Sequence, residues 1–173
     1  MKSLRIALPL LLSFTVTAAF AQISAQKSFD QLKSLAGSWE GKDSAGRPVQ
    51  ASFRDVARDS VLMSEVQREF HSGVKSNMIS MIHLDGPNRL LLTHYCMDAT
   101  QTRMAATTSA DGKTITFDFF DDTNTTPDST NTRRLIFTIV DANHHTEDST
   151  FFAGRGKETK ELLDLHRTEA AQK

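Results

Sequence analysis

Cysteine is almost missing from this chain. Of 173 residues one is cysteine, Cys96, so no internal disulfide can form and the fold must stand on packing even in an oxidising compartment. Basic excess is missing too: 20 Lys and Arg face 21 Asp and Glu. A nucleic-acid binder normally carries a basic stripe that replaces phosphate counterions, so that class is excluded. Long apolar runs are also lacking. The longest, Ile6 through Val16, falls short of the about 20 residues a membrane-spanning helix needs. No repeat, linker or composition break divides the chain, which predicts one domain.

What the amino terminus does contain is a three-part export signal. Lys2 and Arg5 precede the Ile6–Val16 run, and Ala19-Phe20-Ala21 supplies small side chains at a cleavage site. The pattern predicts a signal peptide over 1–21 and a mature domain over 22–173, periplasmic or secreted, with no stable membrane anchor after cleavage. Cys96 is far from the cleavage site, which excludes a lipoprotein anchor. Losing Lys2 and Arg5 takes the formal charge from −1 to −3.

The mature chain changes period early. Phe29, Leu32 and Leu35 recur at three-residue spacing, which predicts about two turns of amphipathic helix with Ser28 as cap and Gly37 as stop. From Ser38 on the period is two. Strands are predicted near 38–43, 48–57, 60–71, 76–84, 89–97, 103–108, 114–121, 133–140, 145–153 and 159–168. Between them stand turn-forming groups such as Ser44-Ala45-Gly46-Arg47 and Asp85-Gly86-Pro87-Asn88, the mark of a meander. About nine or ten strands in one all-β domain predict closure into a single antiparallel up-and-down barrel, because closure removes exposed edges. A sandwich is the alternative. In the 77–96 hairpin, pairing Leu84 with Arg89 across a four-residue loop sets Ile79 opposite His94 and Met81 opposite Leu92. The inward face is then Ile79, Met81, His83, Leu90, Leu92, His94 and Cys96.

Gly37-Ser38-Trp39-Glu40-Gly41, after a short helix, resembles the Gly-x-Trp opening of lipocalin-like (calycin) barrels. The blocks Leu92-Thr93-His94-Tyr95-Cys96, Phe117-Asp118-Phe119 and Asp141 through Glu147 are similar to an uncharacterised family of exported bacterial lipocalin-like domains. That resemblance implies a barrel plugged at one end by Trp39, with Arg167 of the last strand packed over it. It supplies no reaction. The chain departs from the family pattern at Thr100-Gln101-Thr102-Arg103-Met104, where the family has Asn-Gln-Pro-Arg-Met, and at Ser149, where it has tryptophan.

The remaining chemistry is sparse. His94 and Cys96, two apart on a strand, form a soft pair suited to zinc or copper if Met81, Met104 or His83 completes the set; a buried thiol beside a hydrogen-bonded histidine is the plainer reading. His144 and His145 point to opposite faces of a strand and do not share an ion. His166 lies where some haem-carrying calycin barrels place an axial ligand. Gly154-Arg155-Gly156-Lys157 reads as a turn, since no helix follows to aim its amides at a phosphate. Asp121-Asp122 and Glu147-Asp148 read as solvated. No catalytic set, cofactor motif or metal site is complete, so binding is favoured over catalysis. The expected function is an exported barrel holding a small apolar or amphipathic molecule against Ile79, Met81, Leu90, Leu92, His94 and Cys96. The alternatives are a cavity-based enzyme or a metal or haem barrel using His94 and Cys96, and a filled barrel acting through its surface.

Overall fold

The computed structural model describes residues 23–69, 73–154 and 156–168. The expected signal at 1–21 lies outside the described residues. Ten antiparallel strands follow one helix: α1 (Ala25–Lys33), β1 (Gly37–Asp43), β2 (Pro48–Val56), β3 (Val61–Glu69), β4 (Lys75–Leu84), β5 (Leu90–Tyr95), β6 (Gln101–Thr108), β7 (Thr114–Thr123), β8 (Thr130–Asp141), β9 (His144–Ala153) and β10 (Lys157–Arg167). Each strand pairs with its neighbours in sequence, and β1 pairs with β10 to close a barrel. The sandwich alternative is thereby excluded. Among the described residues no helix is long and apolar enough to cross a membrane.

The helix begins earlier than the apolar spacing suggests. Ser24, not Ser28, is the cap: its side chain accepts from the Lys27 amide at 3.2 Å, satisfying one of the free amides of the first turn. Ser28 instead lies inside the helix, buried, with its Oγ 2.7 Å from Thr108 Oγ1 of the barrel wall. Lys33 in the last turn suits the negative end of the helix dipole. The helix ends at Ser34, and Gly37 opens β1 instead of stopping α1. Phe29, Leu32 and Leu35 cap one barrel end, packing into the same core as Trp39, Phe53, Phe117 and Phe137. Full burial of each such side chain contributes on the order of 1.5–3 kcal/mol.

One register differs from expectation. Leu84 pairs with Leu90, so Ile82 faces Leu92 and Ser80 faces His94. The cause is the turn. The Asp85 amide donates to Arg89 O at 2.8 Å and the two side chains form an ion pair, so the loop closes one residue later than the four-residue reading, with Gly86 at φ +70. One residue reverses the faces of a strand. In β4 the inward positions are therefore Ser76, Ser80 and Ile82, all buried, while β5 keeps Leu90 and Leu92 inside. A bulge at Thr132/Arg134 in β8 lets Thr132 and Leu135 both face inward.

Candidate functional site

The aromatic floor does not fill the barrel. Above it, toward the end opposite α1, lies a cavity of about 350 Å³, within the size range of small-molecule sites. Strand alternation builds its wall. Ser64, Val66 and Arg68 come from β3; Met78 and Ser80 from β4; His94 from β5, with Cys96 just after it; Leu135 from β8; Glu147, Ser149 and Phe151 from β9; and Glu161 and Leu163 from β10. Most of this surface is apolar, with the polar groups gathered in two places.

The first is His94. Its Nδ1 shares a hydrogen bond of 3.0 Å with Ser80 Oγ, and among the described residues no hydrogen bond reaches Nε2. Burial, with the Arg68 charge adding to it, lowers the His94 pKa to about 4. The ring is neutral at physiological pH and offers Nε2 to the cavity. Burial also pushes the Cys96 thiol up, keeping it protonated. Asp98, beside it, fixes the loops at the cavity mouth by accepting from Thr100 Oγ1 at 2.7 Å and the Thr130 amide at 2.7 Å. Burial opposes its ionisation, but these bonds outweigh it and hold the carboxyl below its usual range.

The second polar group is ionic. Arg68, 6% exposed at its side chain, pairs with Glu161, and Arg47 reaches the same carboxylate at 3.4 Å. Arg47 also binds Asp43, so charges of alternating sign run along the wall. Lower down, buried His145 Nε2 shares a hydrogen bond of 3.2 Å with Glu147 Oε1, and its ring meets the Trp39 ring edge-on at 4.3 Å. Glu147 is thus not solvated as its sequence context suggests, because it occupies an inward position of β9. A hydrogen-bonded carboxylate there avoids the cost of an unpaired buried charge.

Of the residues expected on the cavity wall, His94 and Cys96 line it. Leu90 and Leu92 face inward but belong to the packed floor. Ile79 and Met81 lie on the opposite face of β4, since the closed turn reversed that strand. His83 is on that face as well, bonded through Nδ1 to Leu84 O. Among the described residues no third His, Cys, Asp or Glu converges with His94 and Cys96 to complete a metal site. His166 points outward, with its side chain 62% exposed. Arg68 and Glu161 escaped sequence reasoning, though a signal was present: each continues the inward alternation of its strand, Ser64-x-Val66-x-Arg68 and Glu161-x-Leu163-x-Leu165.

The opposite end is sealed. The Arg167 guanidinium lies 4.2 Å from the Trp39 ring centroid, and Trp39 Nε1 donates to Leu35 O at 2.7 Å. Arg167 donates to Ala142 O, Ala36 O and Ser34 O at 3.0, 2.6 and 2.9 Å. Gly37 makes room for it: a Cβ there would lie 2.7 Å from Arg167 Nη1.

One consequence concerns acid. Because the folded pKa of His94 lies below the ordinary 6.5, the unfolded chain takes up the proton first. Stability is complete above that value and falls as pH drops toward about 4. Between pH 7 and pH 5 the loss from this residue is about 2 kcal/mol. Urea unfolding at the two pH values measures it. His94→Gln should flatten the difference by that amount; an unchanged difference would show that His94 titrates normally.

Fold and cavity together define a closed ten-stranded antiparallel barrel with an interior site near one end. No family model and no curated protein matches the chain. Among solved structures, Rv2717c from M. tuberculosis aligns over 82% of this chain and 98% of its own, with a TM-score of 0.61 and 18% identity, a likeness of fold. A redesigned beta barrel covers 86% of this chain at 12% identity, but its TM-score of 0.43 is too low to argue from.

Proposed function

We propose that the protein is an exported, lipocalin-like carrier or receptor for one small amphipathic molecule, held in the cavity bounded by β3, β4, β5, β8, β9 and β10. The observation that carries this reading is the cavity itself, roomy and mostly apolar, with convergent polar groups. The ligand's apolar body packs on Val66, Met78, Leu135, Phe151 and Leu163, and its polar group meets His94 and the Arg68–Glu161 pair. A neutral His94 suits a hydrogen-bonding group better than a full charge, since the site already holds paired ions. Export is supported by Lys2, Arg5, the Ile6–Val16 run and Ala19-Phe20-Ala21. The lipocalin-like assignment is supported by Gly37-Ser38-Trp39 and by the position of Arg167 over Trp39.

Native mass spectrometry of protein isolated from its own host's extracytoplasmic fraction tests both parts. The chain mass should correspond to a start at Gln22, and a noncovalent adduct should be present. In the ligand-stripped protein, anilinonaphthalene sulfonate should bind, and Ser64→Phe, which puts a phenyl ring into the cavity, should weaken that binding at least about tenfold. A start at Met1 would defeat export. Absence of any adduct, with equal probe binding by both proteins, would defeat the ligand reading.

A further inference from the structure

The outer wall of the barrel holds a second arrangement, unrelated to the cavity. His144 on β9 and His166 on β10 are directly paired across the ladder, and their rings stack with centroids 4.4 Å apart and planes 17° from parallel. Asp164, two residues before His166 on the same face, completes the group. His144 Nε2 lies 2.8 Å from Asp164 Oδ1, and His166 Nε2 lies 3.5 Å from the same oxygen. One atom from each of the three residues falls within 4.8 Å of the other two.

We propose that His144, Asp164 and His166 form a binding site for one divalent transition-metal ion, zinc being the type case. The spacing is the argument. Ligands about 2.0–2.1 Å from a tetrahedral zinc ion stand roughly 3.3 Å from one another, and the two nitrogen-to-oxygen distances, 2.8 and 3.5 Å, bracket that value. A hydrogen-bonding account covers only part of the geometry, because one imidazole N–H on the carboxylate does not require a second ring nitrogen to converge on the same oxygen. An ion would use one lone pair from each ring, and the stacked rings must turn about χ2, a soft torsion in histidine, for both Nε2 atoms to aim at it. The support is rigid, since all three residues sit on paired strands rather than on a loop.

The neighbouring strand adds a candidate fourth ligand. Glu40 of β1 is exposed and directly opposite His166 in the ladder, at a separation that a glutamate spans. The nearest cation on that strand is Lys42, opposite Asp164 in the ladder. Two imidazoles and one or two carboxylates favour zinc, nickel or copper(II) over magnesium and calcium, which take all-oxygen sites.

Titration of the tag-free, metal-stripped mature protein with zinc chloride tests the site, with calorimetry and histidine ring NMR as readouts. One zinc ion should bind per chain and shift the ring signals of His144 and His166 while leaving His94 and His145 in place. His166→Ala and Asp164→Asn, both at exposed positions and checked for folding by circular dichroism, should each weaken binding at least tenfold. Glu40→Gln should weaken it less, and magnesium should not compete. Lack of saturable zinc binding would overturn the proposal. So would affinity unchanged in His166→Ala, or affinity lost only in Cys96→Ser, which would put the ion in the cavity.

Discussion

Gly41→Ala is expected to prevent the barrel from closing. A Cβ at Gly41 would stand 1.8 Å from Asp164 O and 2.8 Å from Asp164 C, both backbone atoms of β10. No rotamer relieves an overlap with backbone, so the strands must part at the seam where Gly41 faces Leu165. That seam joins the first strand to the last, and parting it loses several ladder hydrogen bonds at about 1 kcal/mol each. It also exposes Leu165, which is fully buried at 0%. The combined cost is more than about 4 kcal/mol, enough to unfold many domains of this size. Soluble yield and urea midpoint measure it. A Gly41→Ala protein within about 1 kcal/mol of the parent would show that β1 and β10 are not held this closely.

Arg167→Ala should give the next largest loss, about 3 kcal/mol. The guanidinium donates to three carbonyls in three segments, the end of α1, the link into β1 and the β8–β9 turn. Removal leaves those carbonyls without their charged donor, and the ring contact with Trp39 contributes roughly 0.5–2 kcal/mol more. For a domain of this length the melting temperature should fall by about 6–12 °C. Trp39 is the single tryptophan, so its fluorescence reports the same event without interference. Arg167→Lys should rescue little, because an ammonium cannot fork to three carbonyls while stacking on the indole. A lysine variant with parental stability would mean that charge alone matters there.

How far the residues alone reach can be seen by following one strand pair. Alternation in 76–84 and 89–97 correctly marks two strands and a hairpin, since the period of two comes from backbone pleating and shows wherever one face is buried. Which face of β4 turns inward depends on one residue in the Asp85–Arg89 turn. That residue count is decided by a 2.8 Å backbone bond. The consequence is chemical: Ser80 becomes the partner of His94, while Ile79 and Met81 go outside.

Local pattern also underread the charged interior. Glu147 and Glu161 look like surface residues beside Asp148 and Lys160, because a one-dimensional window prices a carboxylate as solvated. The burial of Glu161 becomes tolerable only through partners distant in sequence, Arg68 and Arg47, and that of Glu147 through the inward-facing His145.

The sequence by itself determined the all-β class, the strand number and the short helix before Trp39. These follow from near-neighbour physics, namely pleat alternation, helical spacing and turn-forming residues, which act within about ten positions. Tertiary structure alone decided the register of β4, the contents of the cavity and the meeting of His144, Asp164 and His166 on the outer wall. Those depend on which strands lie side by side and on where each turn closes. A barrel brings residues about 100 positions apart into contact, as with Arg68 and Glu161, and such pairings are selected by closure of the whole sheet rather than by any local stretch of chain.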